Sequence, residues 1–189
     1  MNYATQNLED DHIYILRLID VMETMTKHPA PEIADLEEAV DLIKNYADGL
    51  HHAKEETLFF PLLAERGFSL IQGPVAVMLH EHTIGREYVK GVTDNIQLVK
   101  EGDLSSLNMV YANIHRYCEL LQSHIYKENN MLFRMADNAL SAADQQSLFN
   151  NFEDLENPTI SNHKKSDFIA RIIRLEQAYN LASKNLQSI

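Results

Sequence analysis

The chain has 189 residues, 45% of them hydrophobic, with a single cysteine and a formal net charge of −12. That is enough apolar material for one domain with a real core; the acidic balance argues against nucleic acid or an anionic membrane as the main partner, and one cysteine rules out a disulfide framework. With no signal-like start and no apolar run near the roughly 18 residues of a spanning helix, the chain reads as soluble and cytoplasmic.

Glycines and prolines are few and fall in clusters, at Lys27-His28-Pro29-Ala30-Pro31, at Gly67 to Pro74, at Glu101-Gly102-Asp103 and at Asn157-Pro158. Between these breaks the apolar residues recur at helical spacing without sustained alternation. Four helices are predicted, over 9–27, 32–66, 74–100 and 104–136. Pro31 and Pro74 suit first-turn positions and Gly67 suits a helix stop. Pro61 lies inside the second pattern, where it should kink the helix or end it early. Ser141 with Asp144 opens a short helix to about 155, and a last helix is predicted over 162–186. Short connections make the first four antiparallel neighbours. The expected fold is all-α, an up-down-up-down four-helix bundle over 1–137 with a C-terminal helical extension over 138–189. The stripe of Phe168, Ile169, Ile172, Ile173, Leu175 and Tyr179 should pack the extension on the bundle, with homodimerisation as the alternative.

A repeated phrase carries the chemistry. His51-His52-Ala53-Lys54-Glu55 is echoed by His124-Ile125-Tyr126-Lys127-Glu128, each followed by an apolar run. A His and a Glu four apart share one helix face. In the second helix His51 lies whole turns beyond Ile33, Leu36, Val40, Ile43 and Ala47, with Leu58 and Leu62 continuing the line. His51 and Glu55 are therefore the inward pair, and His52 and Glu56 turn toward the edge. In the fourth helix His124 and Glu128 share a line with Val110, Tyr117, Leu121, Met131, Leu132 and Met135. His82 lies on the apolar line of the third helix, with His80 nearer the rim, and His12 on that of the first. In an antiparallel bundle the starts of the first and third helices share an end with the finishes of the second and fourth. Periodicity and depth thus gather His12, His51, Glu55, His82, His124 and Glu128 into one cage.

Imidazoles and carboxylates together suit Fe, Mn or Zn. Six protein ligands exceed what one ion with an open position needs, so a dinuclear centre is favoured, and cations offset the cost of burying two Glu. Glu81 and His80 are candidates to line an access route or orient a ligand imidazole. Cys118 reads as core filler and His115 as a core-edge or surface residue. Tyr14, Tyr111, Tyr117 and Tyr126 read as packing residues near the cage.

These residues are where the chain resembles the hemerythrin-like family, the HHE cation-binding domain. The resemblance rests on His12 in its Asp-Asp-His opening, on HHAKEETLFFPLL, on GPVAVMLHEHTIGREYV and on HIYKENNMLF, over about residues 8–137. It implies a non-haem centre of two irons, oxo- or hydroxo-bridged, on the same six residues. Oxygen-carrying members pair two His four apart on the third helix and use His-x4-Asp on the fourth; here Arg86 follows His82 by four and Asn129 follows His124 by five. The chain is closer to the bacterial branch with two His-x3-Glu motifs, linked to iron homeostasis and to nitrosative or oxidative stress. The implied role is a metal-binding protein that binds or senses O2, NO or peroxide, or serves iron homeostasis. An oxidoreductase reducing NO or peroxide with an external redox partner is the alternative, and a bundle with Zn or no metal is a further one. Ferritin-like di-iron enzymes need two Glu-x-x-His motifs, and only Glu9 to His12 fits.

Overall fold

The structure is a computed structural model, and residues 3–28, 31–157 and 164–181 are described. Helix α1 spans Ala4–Thr26. Helix α2 begins as Ile33–Leu42 and runs without a break to Phe60–Glu65. Helix α3 is Gly73–Lys100, and α4 begins at Leu107–Lys127 and ends with Phe133–Ala139. Among the described residues, α5 (Ala142–Glu156) and α6 (Lys165–Ala178) complete the chain. The first four form the predicted all-α bundle: α3 packs along α4, α1 against α4, and α2 against α3. Both α5 and α6 lie on α1. Phe168, Ile172 and Leu175 are buried there.

The helix ends follow the local chemistry. Gly67 and Gly102 have φ of +94° and +104°, a region open to glycine, and terminate α2 and α3. Ser141 and Asp144 form the predicted capping box, each side chain meeting the other's backbone N–H. His163 and Pro158 lie outside the described residues, as do both ends of the predicted last helix.

Pro61 neither ends α2 nor interrupts it; the helix continues to Glu65. The turn just before it, Glu55–Phe59, is π-wound, with the Phe60 N–H donating to the Glu55 carbonyl. Proline is not the cause, because α4 has the same turn at Glu128–Leu132, closed by the Phe133 N–H on the Glu128 carbonyl, and Arg134 stands where Pro61 does. A longer π stretch, Ile43–His52, precedes the site in α2. Each π turn takes in one more residue than an α turn and so moves the buried face along by one. Where 3.6-residue periodicity predicts Leu58 and Leu62, the buried residues are Phe59, Phe60 and Leu63. Met131 and Met135, predicted to face inward, are exposed, and Leu132, Phe133 and Ala136 are buried instead.

The buried apolar side chains form two clusters. One holds Ile15, Ile19, Leu50, Val89, Leu121 and Ile125; the other holds Leu8, Phe59, Phe60, Met78, Leu132 and Phe133. On each of α1 to α4 buried polar residues lie where one cluster gives way to the other, from one on α3 to four on α2, which places a polar layer across the bundle.

Candidate metal centre

That polar layer contains all six sequence-predicted residues. His12, His51, His82 and His124 are at most 2% exposed, and Glu55 and Glu128 are fully buried. The imidazoles approach in pairs: His12 Nε2 lies 3.0 Å from His51 Nε2, and His82 Nε2 lies 3.2 Å from His124 Nε2. Each glutamate reaches both pairs. Glu128 Oε2 is 3.3 Å from His12 Nε2, and its Oε1 is 3.3 Å from His124 Nε2. Glu55 Oε2 is 3.4 Å from His82 Nε2 and 3.7 Å from His51 Nε2. These are charge contacts without hydrogen-bond alignment, and no carboxylate oxygen of Glu55 or Glu128 has a hydrogen-bond partner.

The donor set fits metal ions. Buried carboxylates are costly without a hydrogen bond or a cation, and three of these four oxygens lie against the converging nitrogens. Two ligand atoms each ~2.1 Å from an ion and at right angles are about 3 Å apart, which matches both imidazole pairs. Two groups of ligand atoms each lie within 4.8 Å of one another, His12, His51 and Glu128 in one, and His52, Glu55, His82 and His124 in the other.

The surroundings repeat with a two-fold pattern. The carboxylate just before each α1 or α3 histidine takes Nδ1 of the α2 or α4 histidine: Asp11 lies 3.3 Å from His51 Nδ1, and Glu81 lies 3.0 Å from His124 Nδ1. The lysine of each His-x-x-Lys-Glu phrase holds that carboxylate, Lys54 on Asp11 and Lys127 on Glu81. The residue after each glutamate takes the remaining Nδ1: Asn129 lies 2.7 Å from His12, and Glu56 lies 2.7 Å from His82. Even the aromatic neighbours match, Phe133 stacking on His12 and Phe60 on His82. With Nδ1–H donating outward, each Nε2 presents its lone pair inward. Lone pairs facing each other across 3.0 Å repel unless a proton or a cation takes them.

The electrostatics are those of a negative centre held by positive neighbours. Burial works against the charged form of His124, but Glu128 outweighs it and lifts the pKa to about 10. His12 and His82 are also raised against the effect of burial, His12 by Glu128 and His82 by Glu55 and Glu56. Burial lowers His51, and it lowers His52 further, helped by the neighbouring His82. Burial would raise Glu128, yet His124 and His12 hold it well below the usual carboxylate range. Burial would raise Asp11 as well, but Lys54 and His51 pull it far down.

Other expectations are corrected or placed. His52 does not sit at the edge: it is 6% exposed, its ring stacks on His82 with centroids 3.7 Å apart, and Nδ1 lies 3.1 Å from Asp48. The wider winding over Ile43–His52 shrinks the angular step between successive residues, so both neighbours face inward. Glu56 does lie nearer the rim, yet it holds His82. His80 is exposed, and His115 pairs at the surface with Glu119. Cys118 is buried core filler, its thiol pushed up to about 12 by burial. Tyr126 is exposed, and the Tyr111 hydroxyl donates to the His28 carbonyl. Sequence reasoning missed Tyr46, fully buried with its hydroxyl 3.3 Å from Asp11, and Lys54, whose ammonium is buried among Asn7, Asp11 and Glu156. The repeated Lys before each Glu was the available signal for Lys54. A cavity of about 400 Å3 is lined by His52, His82, His124 and Tyr117 together with the exposed Lys44, Lys90 and Asp94. Among the described residues, no helix is long and apolar enough to cross a membrane.

The family model described as the hemerythrin HHE cation binding domain matches residues 3–136. The chain is similar to the iron-sulfur cluster repair protein YtfE of Pectobacterium atrosepticum, 35% identical over 89 residues, which are 46% of this chain and 40% of that protein. It is similar to YtfE of Yersinia pseudotuberculosis, 36% identical over the same shares, and to that of Edwardsiella ictaluri, 32% identical over 53% of this chain and 46% of the relative. The chain thus spans less than half the length of these relatives. No solved structure matches it. The match runs from the start of α1 into the last turn of α4 and takes in all six residues of the cage, and the chain belongs to the hemerythrin HHE cation-binding domain family.

Proposed function

We propose that this protein holds a non-haem di-iron centre in His12, His51, Glu55, His82, His124 and Glu128, and that it serves iron homeostasis and the repair of iron–sulfur clusters under oxidative or nitrosative stress. The observation that carries this reading is the set of four buried carboxylate oxygens on Glu55 and Glu128 that lack hydrogen bonds, three of which lie within 3.7 Å of the four imidazole nitrogens. Two irons there supply redox chemistry and an affinity for O2, NO or peroxide. The chain's own residues stack Phe60 on His82 and Phe133 on His12, and orient each ring through Asp11, Glu81, Glu56 and Asn129. The similarity to proteins named for iron–sulfur cluster repair supports the stress and iron context.

A second reading is an oxidoreductase that reduces NO or peroxide at the same site with an external electron donor. The cavity of about 400 Å3 beside His82 and His124 favours it, since it admits a small molecule to one side of the centre.

Metal analysis of anaerobically purified protein, with optical spectra before and after O2, azide and NO, tests the proposal. About two irons per chain and bands that respond to added ligand are expected. Sub-stoichiometric zinc with no iron overturns it. Repeated turnover of NO or peroxide with a supplied reductant establishes the second reading over the first.

A further inference from the structure

The cavity between α2, α3 and α4 is far larger than a diatomic molecule needs. At about 400 Å3 it exceeds the roughly 30 Å3 that one water occupies more than ten-fold, and it lies in the range of pockets that hold organic ligands. Cross-helix contacts divide it into three levels. His52 stacks on His82, Arg86 donates to Asp48, and Lys44 donates to Thr93 at 3.0 Å. All six line the cavity. His82 and Thr93 are eleven residues apart on α3, so the cavity runs for roughly 16 Å along that helix. Its first level is buried, and its last is lined by the exposed Lys44, Lys90 and Asp94. Ile43, Val89 and Leu121 form apolar wall between them.

Gly85 lies one turn after His82 on that wall. Glycine inside a helix is destabilising relative to alanine, so a mid-helix glycine calls for a reason. Gly49 and Gly91 have steric ones: a Cβ there would meet the Lys44 carbonyl at 2.9 Å or the Asn113 side chain at 2.8 Å. Gly85 has none. Its backbone is ordinary helix, and a Cβ would meet Tyr117 and Leu120 at 3.6 and 3.8 Å, ordinary contact distances. What the missing side chain leaves clear is the cavity those two residues also line. The charges are uneven along it. Glu81 lines the buried level and Asp48 the next. Arg86 is matched by Asp48 and Glu56, and Lys90 by Asp94. Lys44 has no carboxylate partner among the described residues.

We propose that this cavity binds a medium-chain aliphatic carboxylate, with its head on Lys44 and its chain running inward along Ile43, Val89 and Leu121 into the space that Gly85 leaves open. The reverse orientation would set the carboxylate beside Glu81. The inference needs no metal and stands apart from the di-iron reading.

Calorimetric titration of octanoate and of octanol into the full chain, as purified and after chelation, tests it. Each should bind as one molecule per chain, and octanoate equally well in both states, because its head lies away from the centre. Lys44→Gln should weaken octanoate roughly two- to five-fold, the worth of an exposed ion pair, and leave octanol unchanged. Gly85→Leu fills the cavity and should weaken both by at least roughly ten-fold, as shutting two methylene groups out of an apolar site does; circular dichroism establishes that it folds. In wild type an octanoate analogue with a diazirine on its last carbon should crosslink within His82–Val89 or Tyr117–His124, which tests the site whether or not Gly85→Leu folds. No saturable binding, crosslinks only elsewhere, or unchanged affinity in folded Gly85→Leu overturns the proposal. So does octanoate binding that requires metal or is indifferent to Lys44→Gln, since the head would then not lie on Lys44. Metal content of the same preparation reports separately on the di-iron reading.

Discussion

Lys165 of the last helix places its Nζ 2.5 Å from Oδ1 of Asp11, the first-helix carboxylate that holds His51. The extension beyond the bundle thus reaches the polar layer through one buried carboxylate, which Tyr46 meets at the same oxygen and Lys54 at the other. Groups that orient metal-ligating imidazoles change metal affinity by about 10–100-fold when removed. Lys165→Met should weaken iron binding toward the lower end of that range, since Lys54 remains. Asp11→Asn should weaken it more, because His51 then loses its charged partner. Competition against a calibrated chelator reads both, and an Asp11→Asn protein with wild-type affinity would refute the link.

Removing metal should cost stability. The four carboxylate oxygens of Glu55 and Glu128 have no other hydrogen-bond partner, and a buried group left unsatisfied costs roughly 1–3 kcal/mol. Metal that binds only the folded chain stabilises it by about 2.7 kcal/mol at one hundred times its dissociation constant. The melting temperature should therefore fall on chelation and recover on adding ferrous iron. In the metal-free chain Glu55→Leu should unfold at an equal or higher temperature than wild type, while its metal capacity is lost. A lower unfolding temperature with metal capacity retained would mean that Glu55 is a structural partner and not a ligand.

Gly49 lies in the π-wound stretch of α2, and a Cβ there would meet the Lys44 carbonyl oxygen at 2.9 Å. In an ordinary helix Gly→Ala is stabilising by about 1 kcal/mol. Here the sign should reverse, with Gly49→Ala destabilising by about 1–3 kcal/mol as overpacking does. Iron content should fall as well, since rewinding this stretch turns His51 and His52 away from the site. Urea unfolding and metal analysis of the same preparation check the two effects together; a stabilised variant would contradict the winding.

The Cys118 thiol is buried and its pKa is pushed up to about 12. Only the thiolate reacts, so at pH 8 the folded protein should be inert to a thiol-specific disulfide reagent, and one equivalent should react at once in denaturant. Labelling of the native chain within minutes would show that the α1–α4 interface opens. The sign with pH is set by the thiolate fraction, which grows as pH rises toward 12.

Much of the molecule was legible because helix signals are local. Predicted helices over 32–66 and 74–100 match Ile33 to Glu65 and Gly73 to Lys100, since proline starts and glycine stops act within a few residues. The convergence of the six polar residues was legible because antiparallel helices of known length leave only one level at which they can meet. His52, Tyr46, Met131 and Met135 were misplaced or missed together, and the cause is the same in each region of the site. Stripe counting assumes a uniform 3.6 residues per turn, and the chain departs from that value beside the cage.

The sequence by itself determined an all-α bundle, the inward histidines and the twin His-x-x-Lys-Glu phrases, because each follows from short-range pattern and helix geometry. Only the tertiary structure decided the winding around them. The π turns at Glu55–Phe59 and Glu128–Leu132 shift the buried face by one residue, exchanging Leu58 for Phe59 and Met131 for Leu132. It also decided that His52 enters the site, that Lys54 is buried and that Lys165 reaches Asp11. The physical reason is that α and π turns differ little in local preference. The choice between them is made by how the turn's side chains pack and pair across the bundle, through partners far away in the chain.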